Sequence, residues 1–332
     1  MRRPLRKTAL ASILFAGALL ALAVTGEAQQ AKKVPRIGYL SFGTASGSPY
    51  RTDAFRQGLR ELGYLEGKNI FIDYRYADGK LDRLSALAAE LVRLRVDVIV
   101  TLGPAPTRAA KAATATISIV MASDSDPVGN GFVASLGRPG GNITGLSSQS
   151  SEINGKQLEL LKETAPKLSH LVVFGTSTVP GQALALREIG LAAGAFNIQP
   201  QYLDILGPQD TETAFQAASK GRADGLLVLG GAVLGSQRMR ILEFAVKSRL
   251  PATYSGRACV EAGGLMSYAV NLADLDHRAA TYVDKILKGA KPGDLPVEQP
   301  TKFEFIINLK AAKQIGLMIP PTVLARADKV IK

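Results

Sequence analysis

The chain has 332 residues, of which 46% are hydrophobic and 20% charged, and its formal net charge is +12. This length has room for two lobes that each bury their own core, and the composition is that of a soluble globular protein. A basic protein can bind nucleic acid, but here the lysines and arginines are scattered, tryptophan is absent and aromatic residues make up only 6%. Because no basic stripe with aromatic stacking platforms is visible, we expect no nucleic-acid partner.

The first 28 residues have the three-part pattern of a secretory signal peptide. The first seven residues are strongly basic, residues 8–24 are apolar, and small residues precede a cleavage point near Ala28. Two alternatives stay open: a twin-arginine export signal that opens at Arg2-Arg3, and a retained membrane anchor. The anchor is disfavoured because the apolar run is shorter than the roughly 20 residues of a spanning helix. With cleavage, the mature protein is predicted to be periplasmic.

Cys259 is the single cysteine, and it lies far from the cleavage point. No lipid-bearing cysteine therefore follows the signal peptide, and no disulfide can form within the chain. A cysteine-poor exported protein must be held together by its core. We expect Cys259 to be an inert, partly buried thiol.

From Arg36 onward, strands and helices alternate with short connections. The first half has predicted strands at 37–40, 70–74, 97–101, 117–121 and 143–146, and predicted helices at 53–62, 80–94 and 108–113. A further short helix is expected after Asp126-Pro127, because Asp is a favourable N-cap and proline fits the first helical position. Strands that alternate with helices in this way predict a parallel sheet covered on both faces.

The second half repeats this order of elements without repeating the sequence. Strands are predicted at 171–174, 201–205, 225–229, 252–254, 264–268 and 303–307, and helices at 152–164, 182–195, 211–219, 237–248 and 272–287, with two short helices after Asn308 and at Pro320-Pro321. The predicted fold class is α/β, with two Rossmann-like lobes that contain parallel sheets and are joined by several chain crossings. Such crossings form a hinge, and a hinge around a cleft permits ligand-driven closure.

The lobes are predicted to be discontinuous in sequence. Residues 34–145 and 269–300 are assigned to the N-terminal lobe, and residues 146–268 and 301–332 to the C-terminal lobe.

The sequence contains no strong motif for catalysis or metal binding. The two histidines, His170 and His277, are expected at the surface and lie in no metal-ligand spacing. No G-x-S-x-G nucleophile elbow and no complete phosphate-binding or dinucleotide-binding fingerprint follows a strand. We therefore expect no enzyme activity, no cofactor and no metal. An enzyme on the same fold, with Asp124 or Asp126 as its carboxylate, is the alternative.

Small polar residues follow the carboxyl ends of several predicted strands, where ligands bind in open α/β sheets. Hydroxyls and bare backbone N–H groups suit a carboxylate, Asp124 suits an ammonium group, and the rings of Phe42 and Tyr254 suit an apolar part of a ligand. The predicted ligand-binding residues are Ser41, Phe42, Thr101, Gly103, Ser123, Asp124, Ser125, Thr176, Ser177, Gly231, Tyr254, Ser255 and Gly256. Each of them has a plain alternative as an ordinary loop residue.

Five segments of the chain resemble the substrate-binding proteins of a bacterial ABC transporter family that includes tryptophan and aromatic-amino-acid binders. The segments are AFRQGLRELGYLEGKNI from Ala54, DRLSALAAELVRLRVDVIVT from Asp82, DPVGNGFVASLGRPGGNITGLS from Asp126, EAGGLMSY from Glu261, and RAATYVDKILKGAKPGDLPVEQPTKFEFIINLKAAKQIGL from Arg278. Together they extend through nearly the whole chain after the signal peptide.

The resemblance implies a type I periplasmic-binding-protein fold with a small ligand, amino-acid-like or a small carboxylate, in the cleft between the lobes. It also implies delivery of that ligand to an ABC permease in the inner membrane by hinge closure. The chain departs from the family at residues 175–178, where relatives often carry an Asn-Pro-rich loop, and at Gly230-Gly231, where larger side chains are common. A periplasmic sensor that presents its liganded form to a receptor or kinase is the alternative function. We expect a monomer.

Overall fold

The computed structural model of the protein describes residues 34–148, 153–179 and 181–332. The predicted signal peptide at 1–28, and Glu152 at the predicted start of a helix, lie outside the described residues. None of the described helices combines the length and the apolar character needed to cross a membrane.

The first sheet has five parallel strands in the order β2-β1-β3-β4-β5. Its strands are β1 (Arg36–Ser41), β2 (Phe71–Tyr76), β3 (Val98–Leu102), β4 (Ser118–Asp124) and β5 (Ile143–Ser147). The helices between these strands are α1 (Pro49–Glu61), α2 (Arg83–Arg93) and α3 (Pro104–Ala113).

The second sheet has seven strands in the order β12-β11-β10-β9-β8-β6-β7. Its strands are β6 (His170–Gly175), β7 (Gln199–Asp204), β8 (Gly225–Val228), β9 (Ala252–Tyr254), β10 (Met266–Val270), β11 (Phe303–Asn308) and β12 (Lys329–Ile331). The remaining helices are α4 (Ile153–Thr164), α5 (Gln182–Ala195), α6 (Asp210–Lys220), α7 (Ala232–Ser236), α8 (Arg238–Lys247), α9 (Arg257–Glu261), α10 (Leu272–Leu287), α11 (Leu309–Gln314) and α12 (Pro321–Leu324), with a 3₁₀ helix at Pro292–Asp294.

Each sheet buries apolar side chains on both faces, as the near-continuous apolar strands predict. On the first sheet, Tyr39 and Phe55 pack with Ala279 and Val283 of α10 on one face. The other face carries a separate cluster that includes Leu91 of α2. The second sheet likewise has one cluster on each face. Helix α10 therefore covers the first sheet although it follows all but two strands of the second sheet in the sequence.

Three chain segments connect the two sheets: one after β5, one between β10 and α10, and one before β11. They are tied to one another, because the Ser147 N–H donates to the carbonyl of Glu298 at 2.8 Å and the Asn271 N–H donates to the carbonyl of Lys302 at 3.0 Å. The predicted lobe boundaries after residues 145 and 268 fall inside β5 and β10. The α/β fold with two lobes joined by several crossings is confirmed.

Three predicted element bounds in the first lobe are wrong. Helices α1 and α3 begin at Pro49 and Pro104, four residues before the predicted starts, since each proline itself occupies the first turn. Strand β4 continues past Met121 to Asp124.

The predicted helix after Asp126 is a single turn. The Asn130 N–H donates to the Asp126 carbonyl at 2.8 Å, and the carboxylate of Asp126 accepts from the Gly129 N–H at 2.8 Å, so Asp126 does cap this turn. Gly131 then takes φ +68°, a left-handed conformation that ends a helix.

The second sheet differs from the prediction in the relative direction of its strands and in its number of elements. Strands β10 and β11 pair antiparallel, so the sheet is mixed rather than parallel. Helices α7 and α9 and strand β12 were not predicted, because each is three to five residues long and therefore too short to show a periodic pattern.

Candidate functional site

Two side chains that follow strand ends of the two different sheets are in contact. Tyr50 lies at the start of α1, just after β1, and Arg257 lies at the start of α9, just after β9. The Arg257 guanidinium carbon is 4.6 Å from the centre of the Tyr50 ring, within the range of a cation–π interaction. Since the two residues follow strands of different sheets, their contact brings the carboxyl-terminal edges of the two sheets together, and these edges are the candidate site.

Three of the four first-lobe hydroxyls that the sequence predicts as ligand contacts are bonded within the protein. Thr101 is fully buried and its hydroxyl shares a hydrogen bond of 2.7 Å with the Thr107 hydroxyl. Ser41 Oγ accepts from the Gly43 N–H at 3.2 Å. Ser123 Oγ accepts from Arg51 Nη2 at 3.0 Å. These three hydroxyls therefore position their own loops.

The other first-lobe candidates offer backbone and ring surface. Gly103 precedes α3 with φ +95°, a conformation that favours glycine. The first turn of α3 offers few free N–H groups, because Pro104 and Pro106 have none and the Thr107 N–H donates to the Gly103 carbonyl at 3.3 Å. The Phe42 ring is partly buried against the core, and the Phe42 carbonyl accepts from the Gly79 N–H at 2.8 Å.

Asp124 is fully buried at the end of β4. Its Oδ1 accepts from the Asp126 N–H and from Asn130 Nδ2, each at 2.9 Å. Burial raises the pKa of this carboxyl above its ordinary value. Asp124 Oδ2 and the hydroxyl of Ser125 are buried without a hydrogen-bond partner in the part of the chain that the structure describes. A proton, a water molecule or a polar group of a ligand can satisfy such atoms.

A buried ion pair that sequence analysis missed lies next to Ser123. Arg51 donates through Nε and Nη2 to the two carboxylate oxygens of Asp276, at 2.5 and 2.9 Å. Burial alone would lower the pKa of Arg51, but the charge and the hydrogen bonds of Asp276 outweigh burial and raise it. The pair was not visible in the sequence, because 225 positions separate its members.

In the second lobe, the hydroxyls of Thr176 and Ser177 are also bonded within the protein. Thr176 donates to the carbonyl of Ile205 at 2.9 Å. Ser177 donates its N–H and its hydroxyl to the carboxylate of Asp204 at 2.8 and 2.6 Å. Burial alone would raise the pKa of Asp204. The hydrogen bonds from Ser177 and Tyr202 outweigh burial, so the pKa lies below its ordinary value. The loop after β6 is thereby attached to the end of β7.

The remaining second-lobe candidates surround the ends of β8 and β9. Gly231 precedes α7 with φ +151°, and Gly256 precedes α9. The Tyr254 ring is buried, and burial raises the pKa of its hydroxyl. Ser255 is exposed.

A cavity of about 40 Å³ at this edge is lined by Gly231, Tyr254, Ser255, Arg238 and Cys259, among others. Neither Arg238, which begins the predicted helix α8, nor Arg257, which begins the unpredicted helix α9, was predicted as a candidate from the sequence.

Cys259 is a half-buried free thiol, as the sequence predicts. Burial raises the pKa of this thiol to about 11, so the thiol is neutral at physiological pH. In the described residues, no group of three or more His, Cys, Asp or Glu side chains is arranged to hold a metal ion.

The sequence model of a family described as ABC transporter substrate binding protein matches residues 47–331, which is most of the chain. The chain belongs to the ABC transporter substrate-binding protein family. The resemblance found in the sequence is thereby confirmed. The family consists of proteins that bind a substrate.

This substrate-binding protein is similar to a tyrosine-binding protein of Clostridioides difficile strain R20291, with 28% identity over 264 residues that cover 79% of this chain and 75% of the relative. A solved structure from Vibrio cholerae O1 biovar eltor, described as a conserved domain protein, has a TM-score of 0.81 and 28% identity, covering 90% of this chain and 100% of that one.

A structure from Streptococcus pneumoniae in complex with L-Trp also has a TM-score of 0.81, with 26% identity over 90% of this chain and 99% of that one. With these neighbours, the fold of this substrate-binding protein is that of the type I periplasmic binding proteins.

Proposed function

We propose that the chain is the periplasmic binding subunit of an ABC importer. It captures a small amino-acid-like or carboxylate ligand between the lobes and delivers it to a permease in the inner membrane when the hinge closes. The observation that carries this proposal is the pair of facing strand edges, joined by three tied chain crossings and touching through Tyr50 and Arg257. A ligand that contacts both edges favours the closed form, by no more than its difference in affinity for the two forms.

The ligand class is supported by the chemistry of the edges and by the relatives. The cleft edges carry two arginines and several backbone N–H groups at helix starts, all of which are donors that suit a carboxylate. One relative is a tyrosine-binding protein and one similar structure holds L-Trp. The thirteen residues predicted from the sequence are proposed to line the cleft, with Tyr50, Arg51 and Arg257 added to them.

The remaining predictions complete the proposal. A signal peptide at 1–28 is removed near Ala28, the mature protein is periplasmic and monomeric, and it binds without catalysis, cofactor or metal. N-terminal sequencing of protein from a periplasmic extract tests the cleavage point, and light scattering of that protein tests the monomer.

The experiment that tests binding is thermal unfolding of the mature protein, stripped of ligand by reversible denaturation, against amino acids, aromatic acids and small carboxylates. A ligand at about 100 times its dissociation constant adds about 2.7 kcal/mol. For lobes of this size, that free energy raises Tm by roughly 5 to 10 °C. A rise of this size for one chemical class supports the proposal, and no rise for any amino acid or carboxylate contradicts the proposed ligand class.

A further inference from the structure

A small cavity opens at the cleft edge of the second lobe, at the carboxyl ends of β8 and β9. Its volume is about 40 Å³, and Gly231 and Ser255 line it together with the deeper residues Arg238, Tyr254 and Cys259. Gly231 and Ser255 follow β8 and β9, so they form the side of the cavity nearest the cleft. Because Gly231 has no side chain and Ser255 has a small one, a ligand in the cleft can extend a group into the cavity.

Arg238 lines this cavity and forms no ion pair with another described residue. Its Nε is buried and has no hydrogen-bond partner among residues 34–148, 153–179 and 181–332. Basic neighbours on the same helix are paired: Arg240 lies 3.7 Å from Glu212, and Lys247 lies 2.6 Å from Glu243. Arg238 as a whole is only partly buried, but a buried N–H without a partner is destabilising, which favours a bound acceptor at Nε.

The size and chemistry of the cavity favour a carboxylate as this acceptor. A water molecule needs about 10 to 15 Å³ of such volume, so about 40 Å³ has room for a group of two or three heavy atoms. The other polar groups named here, the Tyr254 and Ser255 hydroxyls and the Cys259 thiol, are uncharged. Arg238 is therefore the residue of the cavity wall that favours a negatively charged ligand group. Its planar guanidinium donors match a carboxylate.

We propose that Arg238 binds a carboxylate of the ligand in this cavity. This inference rests on the proposed function and makes it more specific: the second lobe holds the ligand by an anionic group, and uncharged analogues of the ligand are rejected. Arg238 Nε, which has no partner among the described residues, then has an acceptor in the liganded form.

Isothermal titration of the mature protein tests the inference with three acids and their amides: L-tyrosine, L-tryptophan and 3-phenylpropionate, each compared with its carboxamide. The variants are Arg238→Gln and, as a matched control on the same helix, Arg240→Gln. Arg240 bonds to the Pro208 carbonyl and to Gln237 and lies outside the cavity. Circular dichroism confirms that both variants are folded.

We expect the wild type to bind at least one acid and to bind its amide about 10- to 100-fold more weakly, as the loss of charge-assisted hydrogen bonds predicts. Arg238→Gln weakens the binding of the acid by a similar factor and changes the binding of the amide little. Arg240→Gln changes the binding of neither. The comparison of acid with amide needs only the wild type, so it decides the question even if Arg238→Gln does not fold.

Two outcomes overturn the inference and leave the proposed function standing: an amide that binds the wild type as tightly as its acid, or an acid that binds Arg238→Gln as tightly as the wild type. If Arg238→Gln binds the acid as tightly as the wild type, the cavity holds water in both the ligand-free and the liganded protein. If no acid and no amide binds the wild type, the proposed ligand class fails together with the inference.

Discussion

Asp124 lies fully buried at the end of β4, although its position in the sequence suggests an exposed carboxylate for an ammonium group. Its two hydrogen-bond donors, the Asp126 N–H and Asn130 Nδ2, come from the turn that follows the strand. This carboxyl therefore links the cleft edge to the turn, and its environment favours the protonated form.

Replacing Asp124 by Asn tests this burial through the pH dependence of stability. Because burial raises the folded-state pKa above the ordinary value of 3.8, the stability from this group is present at low pH and is lost as the pH rises through the folded-state pKa. In Asp124→Asn, the amide at position 124 does not titrate. We expect its free energy of unfolding to increase relative to the wild type as the pH rises above 3.8, and urea denaturation measures this change.

Asp294→Asn, at an exposed position of the 3₁₀ helix, is the control for this pH series. Parallel stability curves for Asp124→Asn and the wild type would show that Asp124 is not desolvated in the folded protein.

The Arg51–Asp276 pair stabilises the contact between α1 and α10 only when both residues are present. Asp276 has no exposed surface, so Asp276→Leu leaves the Arg51 charge buried and unpaired. We expect this variant to lose about 3 to 5 kcal/mol of unfolding free energy, whereas the double variant Arg51→Met with Asp276→Leu recovers most of the loss. Urea denaturation of the wild type, both single variants and the double variant measures the coupling. A double variant as unstable as Asp276→Leu would refute this account.

At the scale of elements, α1 and α10 approach closely at Gly58. A Cβ at this position would lie 2.4 Å from the carbonyl oxygen of His277 and 2.9 Å from the Cβ of Ala280. Gly58→Ala therefore forces the two helices apart, and we expect a loss of about 1 to 3 kcal/mol of unfolding free energy.

Gly190→Ala is the matched control for Gly58→Ala. Gly190 lies in α5, is exposed, and has no atom within 4 Å of a Cβ built there. Because alanine has the higher helix propensity, we expect this variant to gain about 0.5 to 1 kcal/mol. Equal effects of the two substitutions in urea denaturation would mean that the helix contact does not constrain Gly58.

At the scale of the whole molecule, the contact between Tyr50 and Arg257 joins the lobes on the cleft side. Glu261 at 2.8 Å and Glu304 at 3.5 Å hold the Arg257 guanidinium. A cation–π contact of this kind contributes about 0.5 to 2 kcal/mol, enough to change the ratio of closed to open forms severalfold.

Arg257→Ala removes this contact and is expected to shift the ligand-free protein toward the open form. Solution scattering should therefore show a larger radius of gyration for Arg257→Ala than for the wild type, and Tyr50→Leu should act in the same direction. Lys247→Ala, which removes an exposed pair with Glu243 on the outer helix α8, serves as the control. An unchanged radius of gyration in both cleft variants would show that the contact does not hold the lobes together.

The strands and longer helices were predictable because their signals are local. The run of residues 98–102 is apolar and fully buried in β3, and the leucines at helical spacing in α2 point into the core. The limits of elements were less predictable. Pro49 and Pro104 read equally well as loop residues or as helix starts, and α7 and α9, with five residues each, are too short to show a repeating pattern.

Of the candidate site, the sequence predicted polar residues at the ends of strands, but it did not show that the fold bonds most of their hydroxyl groups within the protein. Thr101, Ser123, Thr176 and Ser177 are all bonded within the protein. Which partner takes each hydroxyl depends on neighbouring loops, so spacing along the chain does not show it.

The amino-acid sequence by itself determined the α/β class, the two lobes and the family, because each of these follows from local periodicity or from segments that resemble the family. Only the tertiary structure decided which charges meet. It placed Arg51 against Asp276, Arg257 over Tyr50, and Arg238 in a cavity without an acidic partner among the described residues. The physical reason is that electrostatic and packing energies depend on distance in space, and the crossings of the hinge bring together residues far apart in the chain.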